Sequence, residues 1–176
     1  MTETIENKTD RKWFALYTKP RHEFKAAEQL KEVGVEYFLP TITRTRQWSD
    51  RKKKVTEPLF RGYIFIHADE RERLISVERE AVIRTIFFNG KPSVIPDSEI
   101  DGLKKILEKG DDVFVVEGLT EGSPVEIVSG PFEGVSGVII ESPTDNKKLA
   151  ITIETLNRTV VVWLTKDCVV KRRDIP

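Results

Sequence analysis

A chain of 176 residues, 39% hydrophobic and 33% charged, can support one domain of about 110 residues and a smaller second one, and its composition excludes wholesale disorder. A single cysteine, Cys168, excludes an intramolecular disulfide, no His/Cys set has metal-ligand spacing, and the longest apolar runs fall far short of the roughly 20 residues of a membrane helix. The net charge of zero is uneven: Arg11 to Lys54 holds 12 basic and 5 acidic residues, while Lys109 onward holds 8 basic and 11 acidic, so only the front of the chain suits a polyanion.

The opening MTETIENKTD is polar, without the pattern of a secretory signal, and residues 1–11 are expected to form a disordered tail in a reducing, cytoplasmic setting. Lys12 to Tyr17 suits a buried strand. Pro20 then opens a helix with Phe24, Ala27, Leu30 and Lys31 at helical spacing, and Gly34 stops it. Val35 to Thr43 returns to β character with a bend at Pro40, and RTRQWSDRKKKV (Arg44 to Val55) reads as a charged hairpin. Leu59 to His67 is the strongest strand of the front half. A helix follows over Asp69 to Glu80 with Leu74, Ile75 and Val77 on its apolar side, then a strand over Val82 to Phe88. Pro96-Asp97-Ser98-Glu99 starts a last helix through Ile100, Leu103, Ile106 and Leu107 that ends near Gly110.

Residues 111–121, acidic and bounded by glycine, read as a linker. Beyond it the pattern is all β: PVEIVS, the turn GPFEG (Gly130 to Gly134), VSGVIIE, a turn at Asp145-Asn146, then LAITIE and TVVVWL around Leu156-Asn157-Arg158, and a last strand from Cys168 to Lys171. Five short strands in so few residues bury a core by curling into a small barrel. The fold class is therefore α+β: an N-terminal antiparallel-sheet α/β sandwich over residues 12–110 and a β-barrel over residues 122–174.

GSPVEIVSGPFEGVSGVI (Gly122 to Ile139) resembles the KOW motif, in which Gly130 and Pro131 set the turn, Phe132 folds back onto the barrel and Gly137 allows two backbones to approach. Independently, WFALYTKPRHEFKAAEQL, EPLFRGYIFIHAD and GKPSVIPDSEI resemble the amino-terminal (NGN) domain of the NusG family of transcription elongation factors. The likeness runs from Lys12 to Arg172. EPLFRGYIF and the compact charged hairpin look more like the specialised RfaH-like and capsule-operon antiterminators than the general factor.

The resemblance implies an SH3-like barrel and docking of the first domain on the clamp helices of the largest RNA polymerase subunit, through a patch matching Tyr17, Phe60, Tyr63, Phe65 and Phe88. Each of these aromatics could equally serve the core, to which Ile64 and Ile66 are assigned by alternation. Upstream or non-template DNA is expected near Lys19, Arg21, His22 and Lys25 at the first helix start, and near Arg44, Arg46, Trp48, Arg51, Lys52, Lys53 and Lys54 on the hairpin, where phosphate meets charge. Trp48 either stacks on an unpaired base or covers the hairpin root. The barrel implies a protein partner, a small-subunit ribosomal protein or the Rho factor or both, at Phe132, Ile139, Val161 and Trp163. The charged helix ERERLISVERE departs from RfaH-like factors, which carry hydroxyl residues there. The β-branched residues of the last hairpin favour a permanent barrel over a helical alternative.

A general elongation factor that also assists Rho is one alternative role; an RNA-binding, ribosome-associated KOW protein is another, against which the acidic barrel counts. With no phosphate loop or nucleophile paired with a base, no enzymatic activity, catalytic residue, metal or cofactor is expected, and the chain is expected to be a monomer.

Overall fold

The computed structural model describes residues 10–110, 112–118, 122–141 and 147–173. In chain order they form β1 (Lys12–Thr18), α1 (Glu23–Glu32), β2 (Glu36–Phe38), β3 (Thr41–Gln47), β4 (Lys52–Pro58), β5 (Tyr63–Ala68), α2 (Glu70–Val77), β6 (Val82–Thr85), β7 (Phe87–Phe88), β8 (Lys91–Pro92) and β9 (Val94–Ile95). Then come α3 (Asp97–Lys109), β10 (Phe114–Glu117), β11 (Ser123–Ser129), β12 (Ser136–Glu141), β13 (Lys147–Ile153), β14 (Arg158–Trp163) and β15 (Val169–Arg172). The chain packs as two compact units, one from residues up to 39 with 61–94, the other from residues 40–60 with 95 onward.

In the first unit the sheet runs β2-β5-β1-β6, and the antiparallel register sets Phe14 opposite Ile66 and Leu16 opposite Ile64. Those four side chains share one face and form a core with Ala26, Ala27 and Leu30 of α1, as alternation predicted for Ile64 and Ile66. α1 ends in a Schellman motif. The Gly34 N–H donates to the Lys31 carbonyl and the Val35 N–H to the Leu30 carbonyl, both at 3.1 Å, with Gly34 at φ +73°. α2 starts in a capping box: the Glu72 N–H donates to Asp69 Oδ1 (2.7 Å) and the Asp69 N–H to Glu72 Oε2 (3.0 Å).

Several expectations are corrected here. The buried positions of α2 are Arg73 and Ser76, and Leu74 is exposed. Burial is tolerated because both polar groups are satisfied, Arg73 by Glu70 and Thr85, and the Ser76 hydroxyl by the Glu72 carbonyl at 2.7 Å. Phe24 of α1 is likewise exposed. The strand foreseen from Leu59 begins only at Tyr63, because Gly62, at φ +83°, interrupts the extended run. The strand foreseen through Phe88 ends at Thr85; Phe87 and Phe88 belong to a separate ladder with Lys91 and Pro92, turned by Asn89 and Gly90, both at positive φ.

In the second unit β3 and β4 form a seven-pair hairpin from Thr41↔Pro58 to Gln47↔Lys52. The six-stranded antiparallel sheet runs β10-β14-β13-β12-β11-β15. The five strands expected of the barrel are present, and β10, from within the segment read as a linker, adds a sixth by pairing with β14. The β-branched run lies in β13 and β14 as strands. The tail over residues 1–9, the Asp145-Asn146 turn and linker residues 111 and 119–121 lie outside the described residues. Helix α3 buries Ile100, Leu103 and Ile106 and brings Gly102 so close to β13 that a Cβ there would lie 3.0 Å from Ile151 Cδ1. The hairpin and α3 thus fall in the same compact unit as the β-rich part.

Gly137 makes the close approach read from the motif: a Cβ would sit 2.4 Å from the Ala150 carbonyl oxygen. Gly137→Ala is therefore expected to destabilise the second unit by about 1–3 kcal/mol in urea unfolding, since backbone rather than a flexible side chain must yield. Glu99, partly buried in the first turn of α3, has an Oε2 without a hydrogen-bond partner among the described residues; burial, then the charge of Glu154, pushes its carboxyl up to about 7. A raised folded pKa favours the folded state in acid, a contribution full below about pH 4.5 and lost as pH rises through about 7. Urea unfolding across this range should show the wild type losing stability relative to Glu99→Gln, and parallel profiles for the two would contradict that.

Candidate functional site

The aromatic residues divide by depth in the sheet. Tyr17 and Tyr63 face each other across β1 and β5, rings 5.4 Å apart at 52°, both half-buried at the strand ends. Gly62 supports the pair: a Cβ there would press on the Tyr17 ring at 3.1 Å, and the Gly62 N–H is held by the buried Glu23 carboxylate at 2.7 Å. Phe65, on the same face two residues further, is 0% exposed and stacked beside Phe38 at 6.2 Å. Phe60 is also buried. The expectation that Phe60 and Phe65 offer contact surface is thereby corrected: both are core side chains. Phe88 stands at the other extreme, 71% exposed on the β7–β8 hairpin.

The basic residues divide by charge pairing. Lys25 and Lys19 both reach Glu80, at 2.5 and 3.9 Å, so two of the four groups expected to meet phosphate at the α1 start are already countered. The Lys25 hydrogen bond, helped by the charges of Lys25, Lys19 and His22, holds the Glu80 carboxyl below the usual carboxylate range. His22 turns Nδ1 to the Pro20 carbonyl at 2.8 Å, and Arg21 is exposed with φ +62°.

On the hairpin, strand alternation separates residues that are neighbours in sequence. Arg44, Arg46, Lys53 and Val55 project from one face, while Thr43, Thr45, Lys52, Lys54 and Thr56 project from the other. Glu57 at the hairpin base accepts from Arg46 at 2.9 Å and lies 3.9 Å from Arg44, ordering both guanidinium groups. Trp48 and Arg51 close the turn through a 2.8 Å backbone bond, with Arg51 exposed. Trp48 is 54% exposed with the Lys53 ammonium 5.7 Å from its ring. An indole so open leaves a face for a stacked base, the first of its two readings.

On the β-rich part, Phe132, Ile139 and Val161 are buried, correcting their assignment as partner contacts. Phe132 is drawn inward by the tight turn: the Gly134 N–H donates to the Ile127 carbonyl (2.7 Å) and the Val135 N–H to that of Phe132 (3.0 Å). Trp163 remains accessible at 36%, with the Lys148 ammonium 4.1 Å from its ring and 5.7 Å from that of Phe114. Phe114, Lys148, Glu80 and Phe87 belong to these surfaces yet were not foreseen. Asn89-Gly90 was a readable hairpin signal for Phe87, whereas the Glu80 pairing, some 55 residues from Lys25, had none. Among the described residues no group of three or more His, Cys, Asp or Glu could hold a metal, and no helix is long and apolar enough to cross a membrane.

If Lys19 and Lys25 meet phosphate, Glu80 competes for them, and Glu80→Gln is then expected to bind a short single-stranded DNA about two- to fivefold more tightly at low salt than wild type does. Fluorescence anisotropy titrations compare the two; equal affinities would remove Glu80 as an antagonist of the patch.

Comparison with known proteins agrees with the sequence resemblance. The family model described as "Transcription termination factor nusG" matches residues 11–104. The "Transcription termination/antitermination protein NusG" of Lactococcus lactis is 29% identical over 174 residues, spanning 88% of this chain and 90% of that protein. The protein of the same name from Pseudomonas aeruginosa is 24% identical over 144 residues, spanning 80% and 81%. Among solved structures, one titled "Domain interaction in Thermotoga maritima NusG" aligns at a TM-score of 0.48 and 24% identity, covering 88% of this chain and 93% of the other. With a family model spanning more than half of its length, this chain belongs to the NusG family of transcription factors.

Proposed function

We propose that this protein is a NusG-type elongation factor that docks on the clamp helices of the largest RNA polymerase subunit through Tyr17, Tyr63 and Phe88. The match of the family model to residues 11–104 carries this reading. The accessible aromatics support it, since rigid rings supply contact area with little side-chain entropy to lose. Arg44, Arg46, Lys53 and Trp48 form the hairpin face we assign to upstream or non-template DNA, with Lys52, Lys54, Arg51 and the α1-start residues as further phosphate contacts. Domain limits at residues 12–110 and 122–174 belong to the same proposal. Trp163, flanked by Lys148, is the surface we assign to a ribosomal protein or Rho. The protein acts as a cytoplasmic monomer, without a cofactor.

The general role, in elongation and in termination, fits the name the relatives carry. A second, operon-restricted RfaH-like role is favoured by one observation, the open Trp48 ring on a hairpin rich in ordered basic groups. Varying the non-template sequence separates the two, because only the restricted factor depends on it.

Single-round transcription by the cognate polymerase tests the docking. Wild type is expected to change pausing or readthrough, and Tyr63→Ala/Phe88→Ala to lose that effect while remaining folded. A double variant as active as wild type would refute the assigned patch.

A further inference from the structure

Phe88 is the most exposed aromatic side chain described, and it sits on a ladder of two residue pairs, too small to hold its own shape in water. Its root is held by backbone bonds, from the Ile86 N–H to the Ala15 carbonyl and from the Ser93 N–H to the Ile86 carbonyl, both at 2.9 Å, and the aromatic residues beyond that root need a further support. A flexible aromatic would be ordered only on binding, and that ordering would weaken the affinity.

The first unit supplies a support from α2. Arg73 is 6% exposed, buried with Ser76 on one side of a helix rich in charged residues. Its guanidinium donates twice to Glu70, from Nε at 2.8 Å and from Nη2 at 2.5 Å, which fixes the plane of the fork. Nη1 donates to Thr85 Oγ1 at 3.0 Å, at the last residue of β6. The same guanidinium carbon lies 5.9 Å from the centre of the Phe87 ring. Thr85 closes β6 just before the hairpin root at Ile86 and Ser93, and Phe87 precedes Phe88 directly. Arg73 therefore grips both the root and the first aromatic residue of the hairpin that presents Phe88.

We propose that Arg73 is a positioning residue for polymerase docking: it preorganises the β7–β8 hairpin so that Phe88 meets its partner already in place. This inference rests on the docking reading above. Neither a lysine nor an apolar side chain can replace Arg73, because the role needs a planar fork with donors in three directions.

A double-mutant cycle tests it. Dissociation constants for core RNA polymerase are measured for wild type, Arg73→Lys, Phe88→Ala and the double variant, each confirmed folded by its melting curve. Arg73→Lys is expected to weaken binding about two- to tenfold. On a Phe88→Ala background the same change should have no further effect, because the residue it positions is gone. A merely structural Arg73 would weaken both backgrounds equally, and additive losses would overturn the proposal, as would an unchanged Kd for Arg73→Lys. If Phe88→Ala itself binds as wild type does, the docking reading at Phe88 fails and this inference fails with it; a loss in Phe88→Ala without one in Arg73→Lys sinks the positioning role alone. Should Arg73→Lys not fold, Thr85→Val, which removes the acceptor and keeps the shape, enters the same cycle with the same expected non-additivity.

Discussion

The first unit depends on the pairing of β1 with β5. Its register places Phe14, Leu16, Ile64 and Ile66 together on one face, where α1 covers them. Because side chains alternate strictly along a strand, that burial commits Tyr17, Tyr63 and Phe65 to the other face. A slip of one residue would drive four large apolar side chains out of the core and the tyrosines into it. The aromatic patch is thus a consequence of the core, held by the hydrophobic effect on the opposite side of the same strands.

Once the register is set, individual carboxylates and guanidinium groups refine the surfaces. Glu23 holds the Gly62 amide beneath Tyr17, Glu57 orders the two hairpin arginines, and Glu70 locks Arg73 beside Phe87. Glu80 acts in a different way, pairing with two lysines at the start of α1. These acidic residues share a basic environment but not a role. Where the pair is buried and hydrogen-bonded it fixes geometry; at the surface it sets only a modest competition with solvent and ions.

Exposure along the hairpin and the β-rich sheet follows the same logic of parity. The five basic candidates on β3 and β4 resolve into two faces of different chemistry, one with Arg44, Arg46 and Lys53 and the other with Lys52, Lys54 and hydroxyls. In the β-rich part, β14 is buried from Thr159 to Val162, so both its faces are covered and only its two ends, Arg158 and Trp163, remain accessible. Tyr17, Tyr63 and Trp163 are alike in keeping part of their surface exposed at or near a strand end.

By itself the sequence determined the family and the order of most elements, though not all their limits. Periodicity two in Leu59 to His67, helical spacing in α1 and α3, the glycine at the end of α1 and the GPFEG turn are local signals, encoded within a few residues by steric limits on φ and by apolar spacing. The motifs also carried the likeness that the comparisons bear out. What the tertiary structure alone decided was the fate of each side chain within those elements. Phe65 and Phe132 are core while Tyr63 and Phe88 are open, Arg73 is buried while Leu74 is not, and the segment read as a linker donates β10. Burial depends on depth within a sheet and on partners far away in sequence, such as Thr85 for Arg73 and Lys25 for Glu80, and no pattern read along the chain specifies those distances.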